Sequence, residues 1–252
     1  MDTSAVRNSN DSTAAGPVSY RPVGAGESLF WGELRRLMQS GATRFCEVGG
    51  GARPVVGLPE IERHGLEYVL FDVSQAELDS APTGYEGFQG SIIDPDAVSE
   101  LMRQRGAFDV VLSRWTAEHV PDAKLFHEHI YQLLRPGGTA IHFFPTLYSL
   151  PFLANRLLSP DLSAAFLFRA FSHRQKKFPA YYAWCRGPSA RQVRRLEDVG
   201  FSVDRYVGFF GHNLYARVKP LDMAHNAVTR GLLAHPFPSL TSFALVVLTR
   251  PA

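Results

Sequence analysis

Two cysteines in 252 residues, Cys46 and Cys185, are too few to staple a fold together. A disulfide scaffold is excluded, and the chain is expected in a reducing compartment. Long apolar runs are missing too. No stretch reaches the roughly 18 residues needed to span a bilayer. The polar first 28 residues have no apolar core of the kind a secretory signal carries. Neither sign of charge is in excess, since 26 Lys and Arg against 24 Asp and Glu leave a formal net charge of +2. That balance lacks the basic surplus of a nucleic-acid binder. What is present is ordinary globular composition, with 45% apolar and 20% charged residues in a chain long enough for one sizeable domain with elaborations. The expectation is a cytoplasmic protein without a transmembrane segment or a nucleic-acid partner.

Residues 1–26 show no periodicity and read as a flexible arm, followed by one domain over 27–252. Phe30, Trp31, Leu34, Leu37 and Met38 recur at helical spacing and stop at Gly41. Short apolar or β-branched runs then alternate with helical patterns. The runs are Arg44–Val48, Tyr68–Val73, Phe108–Ser113 and Thr139–Phe144; the helices are clearest at Asp96–Gln104 and Lys124–Leu134. Such alternation predicts a parallel sheet covered on both faces, with ligands bound at the carboxyl ends of the strands. Ser189 and Gly200 bracket a later helix, and Phe201–Gly208 and Phe243–Thr249 supply the last strands.

The first of these runs leads into Glu47-Val48-Gly49-Gly50-Gly51, and the second ends in Phe71-Asp72. Glycines let a backbone approach a ligand closely, and an acidic residue at the next strand's end can accept hydrogen bonds from ribose hydroxyls. A dinucleotide fingerprint begins with glycine and seats pyrophosphate on a helix N-terminus. Here Glu47 puts a negative charge there instead, which repels phosphate and suits an α-amino group.

Together with Phe108-Asp109-Val110-Val111-Leu112-Ser113 and Leu133-Leu134-Arg135-Pro136-Gly137-Gly138, this set resembles the class I S-adenosylmethionine-dependent methyltransferases. The resemblance spans about residues 30–145. It implies an α/β, Rossmann-like, doubly wound, seven-stranded and mostly parallel sheet, with S-adenosylmethionine as cofactor. Carried over by position, Glu47, Gly49 and Gly51 line the methionine part, Asp72 holds the ribose and Val73 lies against the adenine. Ser91 and Ile92 after the third strand, and Ser113 at the end of the fourth, complete the set. The family often has Gly-Asp where this chain has Gly90-Ser91, leaving Asp94 as a reserve candidate. Arg53-Pro54 and Pro59 interrupt the usual first helix, which is expected to be short and late.

The segment Glu118-His119-Val120 resembles one found in many small-molecule methyltransferases and nominates His119 as general base. His142, near the end of the fifth strand, either pairs with a core group or faces the cleft beside His119 as a second catalytic residue. Glu118, His119 and His142 leave a divalent ion such as magnesium open. His127, Glu128 and His129 do not share a helical face and are not read as a metal site. Residues 146–188 are too long for a plain connection and read as a helical cap whose aromatic residues suit stacking on an acceptor. The resulting expectation is O-methylation of a small molecule, with a sugar or polysaccharide unit foremost. The alternatives are a polyketide, phenolic or lipid acceptor, or a non-catalytic nucleotide-binding homologue. Metal dependence and homo-oligomerisation stay open.

Overall fold

The computed structural model describes residues 16–147, 179–212 and 219–252. The alternation read from the sequence is realised as β1 (Val18–Pro22), α1 (Gly26–Gln39), β2 (Arg44–Val48), α2 (Leu58–His64), β3 (Glu67–Asp72), α3 (Gln75–Asp79), β4 (Glu86–Gln89), α4 (Pro95–Arg105), β5 (Phe108–Arg114), α5 (Ala123–Leu133), β6 (Leu134–Pro145), α6 (Ala190–Val199), β7 (Ser202–Phe210), α7 (Lys219–Ala234) and β8 (Phe243–Thr249). The strands form one sheet of eight in the order β1-β7-β8-β6-β5-β2-β3-β4. Every pairing is parallel except those of β8, which runs antiparallel to both β6 and β7.

Two apolar layers sandwich the sheet, as expected for strands buried on both faces. Val98 and Leu101 of α4, Phe126, Ile130 and Leu133 of α5 and Leu196 of α6 pack on one face with Cys46, Val111 and Ala140 of the strands. Phe30, Leu34, Leu37 and Met38 of α1 and Leu78 of α3 pack on the other, against Phe45, Leu70, Leu112 and Ile141. The helix boundaries follow local chemistry. Asp94, Asp122 and Ser189 each turn a side-chain oxygen onto a first-turn N–H, and Gly200 ends α6 at a φ of +114°. Pro54 and Pro59 delay α2, leaving a seven-residue helix that begins at Leu58.

Two expectations need correction. The sheet has eight strands, not seven, and the extra one comes from the segment read as an arm. Val18–Pro22 pairs with β7, from Val18 beside Tyr206 to Pro22 beside Phe210. Tyr20 fixes it by stacking on Phe210 at 5.4 Å and by donating its hydroxyl to the Pro188 carbonyl at 3.0 Å. Nothing in the local pattern announces this strand, because its partner is remote in the chain. The cap expected at 146–188 falls mainly on 148–178, outside the described residues.

The strand order reverses between β2 and β5. At such a switch point two neighbouring chains leave the sheet in opposite directions and open a crevice at the carboxyl ends. A separate groove of about 580 Å³, lined by Val18, Tyr20, Val193 and Arg194 among others, lies at the β1 edge. It is far from that crevice in the strand order and shares no residue with it.

Candidate active site

The loop after β2 is built for close approach. Gly49 and Gly51 have φ values of +77° and +34°, in the left-handed region that favours glycine. A side chain at Gly49 would stand 2.4 Å from the Thr116 side chain, and one at Gly51 would stand 3.0 Å from Asp72 Oδ2. The glycine loop therefore lies against both the end of β3 and the loop after β5. Gly49→Ala should cost about 3 kcal/mol through backbone strain and overpacking. Urea unfolding would measure this, and an unchanged midpoint would mean that Thr116 gives way freely.

Asp72 ends β3 with Oδ1 accepting the Ser74 N–H at 2.9 Å. Partial burial pushes its carboxyl up, against the N–H groups of Ser74 and Gly51, which pull it down. Val73 follows with 65% of its surface exposed, an uncovered apolar side chain just beyond the carboxyl end of β3. Ser91 lies beyond the end of β4, its hydroxyl accepting the Ile93 N–H at 3.4 Å. The Ile92 side chain is buried in the core, so only its backbone can face a ligand. Asp94, the reserve candidate, caps α4 through the Asp96 N–H.

Glu47 departs from its expected place. Only 2% of it is exposed, and Oε2 accepts both the Val55 N–H at 2.9 Å and the Tyr68 hydroxyl at 2.5 Å. The carboxyl points inward and ties the glycine loop to β3, rather than offering charge to an α-amino group. Burial pushes its pKa up to about 7, against the pull of those two hydrogen bonds. Tyr68 was missed in the sequence. Its signal was a hydroxyl-bearing residue inside an otherwise apolar strand buried on both faces.

Ser113 and His142 are also turned away from the crevice. Both are buried, and Ser113 Oγ lies 2.9 Å from His142 Nδ1 on the α5 side of the sheet. The reason is strand alternation: Ser113 and His142 pair in register between β5 and β6 and share the face of Val111 and Ala140. His142 is thus corrected from catalytic candidate to core residue, and it is withdrawn as a metal ligand beside His119. Its ring packs against His127 at 5.4 Å, which in turn stacks on Trp184 at 5.7 Å. Burial holds His142 well below the ordinary imidazole range and takes His127 down to about 3. His142 Nε2 and His127 Nδ1 have no hydrogen-bond partner among the described residues. No group of three His, Cys, Asp or Glu side chains gathers as metal ligands among those residues either.

His119 keeps a place on the rim. It ends the 3-10 turn Ala117–His119 beyond β5, and its side chain is 29% exposed. Its Nδ1 lies 2.7 Å from the Pro179 carbonyl, an atom that can only accept, so the neutral ring carries its proton on Nδ1 and its lone pair on Nε2. Glu118 Oε1, on a buried side chain, lies 3.8 Å from Nε2, close enough to stabilise an imidazolium. Residues 179–186 hold this turn from above: the N–H groups of Tyr181 and Tyr182 both donate to the Glu118 carbonyl. Trp115, also missed in the sequence, adopts a φ of +59° where the chain turns between Ser113 and His119.

Residues 47–142 match the family described as a methyltransferase domain. Over 101 residues the chain is 33% identical to an uncharacterized methyltransferase of Mycobacterium sp. strain JLS, covering 40% of this chain and 38% of that protein. The match thus spans less than two fifths of the curated relative's length. Among solved structures, a SAM-dependent methyltransferase from Archaeoglobus fulgidus aligns with a TM-score of 0.53 at 16% identity, covering 88% of this chain and 93% of that one. One from Mesorhizobium loti aligns at 0.52 and 16%, covering 87% and 97%. The architecture is the Rossmann-like α/β fold of S-adenosylmethionine-dependent methyltransferases, carried on a mixed eight-stranded sheet.

Proposed function

We propose that this protein transfers a methyl group from S-adenosylmethionine to a hydroxyl of a small molecule. The acceptor classes in view are a sugar or polysaccharide unit and a polyketide, phenolic or lipid compound. One observation supports the reading: Gly49 and Gly51 turn at positive φ after β2, and Gly51 lies against the Asp72 carboxylate, which precedes the exposed side chain of Val73. A ligand with a charged amino-acid end, a ribose and a flat base fits that sequence of surfaces.

In this reading the backbone at Gly49 and Gly51 holds the methionine part, Asp72 accepts the ribose hydroxyls, and Val73 lies against the adenine. Ser91 and the Ile92 backbone serve the adenine edge. Glu47 is a positioning residue that acts through the loop. Ser113 supports the floor through His142. When bound, S-adenosylmethionine supplies an electrophilic methyl group on a positively charged sulfur. The chain must align the acceptor oxygen and take its proton as the new bond forms. In this reading His119 takes the second task, which is supported by Pro179 fixing its tautomer and by Glu118 beside Nε2.

Asp72→Ala should weaken S-adenosylhomocysteine binding roughly 10- to 100-fold, the loss expected for hydrogen bonds to a charged group. Calorimetry would measure it, and unchanged affinity would place the cofactor elsewhere. His119→Ala should leave that affinity intact and slow transfer roughly 100-fold or more. If both variants transfer normally, the assignment of roles at the rim is wrong. Wild-type protein that binds NADH but is not stabilised against heat by S-adenosylhomocysteine would point instead to a nicotinamide-dependent reaction.

A further inference from the structure

Among the described residues, three that are not glycine hold a positive φ: Trp115 at +59°, Tyr182 at +51° and Trp184 at +57°. Bulky side chains rarely adopt this left-handed conformation, so each is an outlier that its surroundings must enforce. All three flank one feature, the turn Ala117–His119. Trp115 leads into it, with its N–H donating to the Phe143 carbonyl at 2.9 Å and its ring edge-on to Phe143 and Phe243, each at 5.2 Å. Tyr182 and Trp184 belong to the strap of residues that crosses the turn on its other side.

That strap is tied at both ends. At one end the Tyr181 and Tyr182 N–H groups converge on the Glu118 carbonyl at 2.8 and 3.0 Å, and the Pro179 carbonyl accepts the His119 Nδ1–H at 2.7 Å. At the other end Trp184 is anchored to α5 and α6. Its ring stacks on His127 at 5.7 Å and 20°, and the Arg195 guanidinium lies 5.4 Å from a ring centre. Its carbonyl accepts the Gln192 side-chain amide at 3.1 Å. Between the ends, the Tyr182 carbonyl accepts the Cys185 N–H at 3.3 Å and the Arg186 guanidinium at 2.6 Å, and both Tyr182 and Cys185 are buried. The proton of a neutral imidazole settles according to the hydrogen bond that one ring nitrogen makes. A carbonyl on a loose loop would follow the ring, whereas one tied back to two helices makes the ring follow it.

We propose that Trp184 is a positioning residue: anchored on α5 and α6, it holds the Pro179 carbonyl in place and so keeps the His119 proton on Nδ1 and the lone pair on Nε2. This rests on His119 as the base in the reading above. A base held in this way has no tautomer to exchange and no ring to turn when the acceptor hydroxyl gives up its proton to Nε2.

The test is the ring-nitrogen NMR spectrum of His119, recorded where the imidazole is neutral. Wild type is compared with Trp184→Gly, Trp184→Phe and Gln192→Leu, and cooperative urea unfolding checks that each variant is folded. Wild-type protein should carry the proton on Nδ1. Trp184→Gly keeps the left-handed turn without strain but removes the anchoring ring. It should shift the tautomer ratio roughly 5-fold or more toward Nε2–H, about the worth of one hydrogen bond. Trp184→Phe should restore most of the wild-type ratio through its own stack on His127. Gln192→Leu, a milder change that keeps the ring, should move the ratio in the same direction as Trp184→Gly. A wild-type ring protonated on Nε2, or an unchanged ratio in whichever of Trp184→Gly and Gln192→Leu folds, overturns the proposal. The spectra need neither cofactor nor acceptor. Normal methyl transfer by His119→Ala would instead overturn the base reading, and with it the catalytic purpose of the strap, whatever tautomer the ring holds.

Discussion

His127→Phe should gain stability relative to the wild type as the pH falls from 7 to 4. Burial lowers the His127 pKa to about 3, below the 6.5 of an exposed imidazole, so the unfolded chain binds a proton that the folded chain refuses. The stability this group supplies is whole above pH 6.5 and is lost as the pH falls toward 3. The loss is about 3 kcal/mol at pH 4 and approaches 5 kcal/mol at full titration. His142, buried against the same ring, acts in the same direction. Urea midpoints at pH 7 and pH 4 for wild type and variant would give the difference in slope, whatever the variant costs at neutral pH. Equal slopes, or a His127 ring resonance that titrates near 6.5, would show that the imidazole is not buried as described.

Glu47 should produce a large effect of opposite sign. Its folded pKa of about 7 lies above the ordinary 4.5, so its contribution is whole below pH 4.5 and is lost as the pH rises through 7. The span corresponds to about 3 kcal/mol. Glu47→Gln should remove that slope. Glu47→Ala should cost about 3–5 kcal/mol at any pH, because it strands the Val55 N–H and the Tyr68 hydroxyl in the core. It should also loosen the glycine loop and weaken S-adenosylhomocysteine binding at least 10-fold. Between pH 4.5 and 6.5 the Glu47 and His127 slopes oppose each other, so the wild-type curve is flatter there than that of either variant. A Glu47→Gln protein with the wild-type pH profile would contradict the inward placement of the carboxyl.

These two residues also mark where the sequence could be read and where it could not. Alternating apolar runs, glycines and caps placed β2, β3, β5, α4, α5 and α6 nearly to the residue, because each depends on its own neighbours. The glycine loop and Asp72 were legible for the same reason. Strand parity decides whether Glu47, Ser113 and His142 face the crevice or the core, and that parity becomes visible only once the register of β2, β3, β5 and β6 is known. A one-residue change in face turns a base into a core histidine. Trp115 was illegible for a different reason, since its backbone angle comes from Phe143 and Phe243, remote in the chain. The edge strand Val18–Pro22 depends wholly on β7.

That edge strand has a consequence for how the chain assembles. Tyr20 bonds to Pro188 across 168 positions, and β1 lies parallel to β7, so no turn can bring the two together early. During synthesis β1 leaves the ribosome before the other described strands, yet it must wait until β7 has been made and has joined β8. Contacts so distant in sequence form slowly, after the local ones. The central strands can dock their helices while the earliest-made segment is still unpaired. Of the described strands, the earliest made is thus the last to be set in place, and its arrival seals that edge of the sheet.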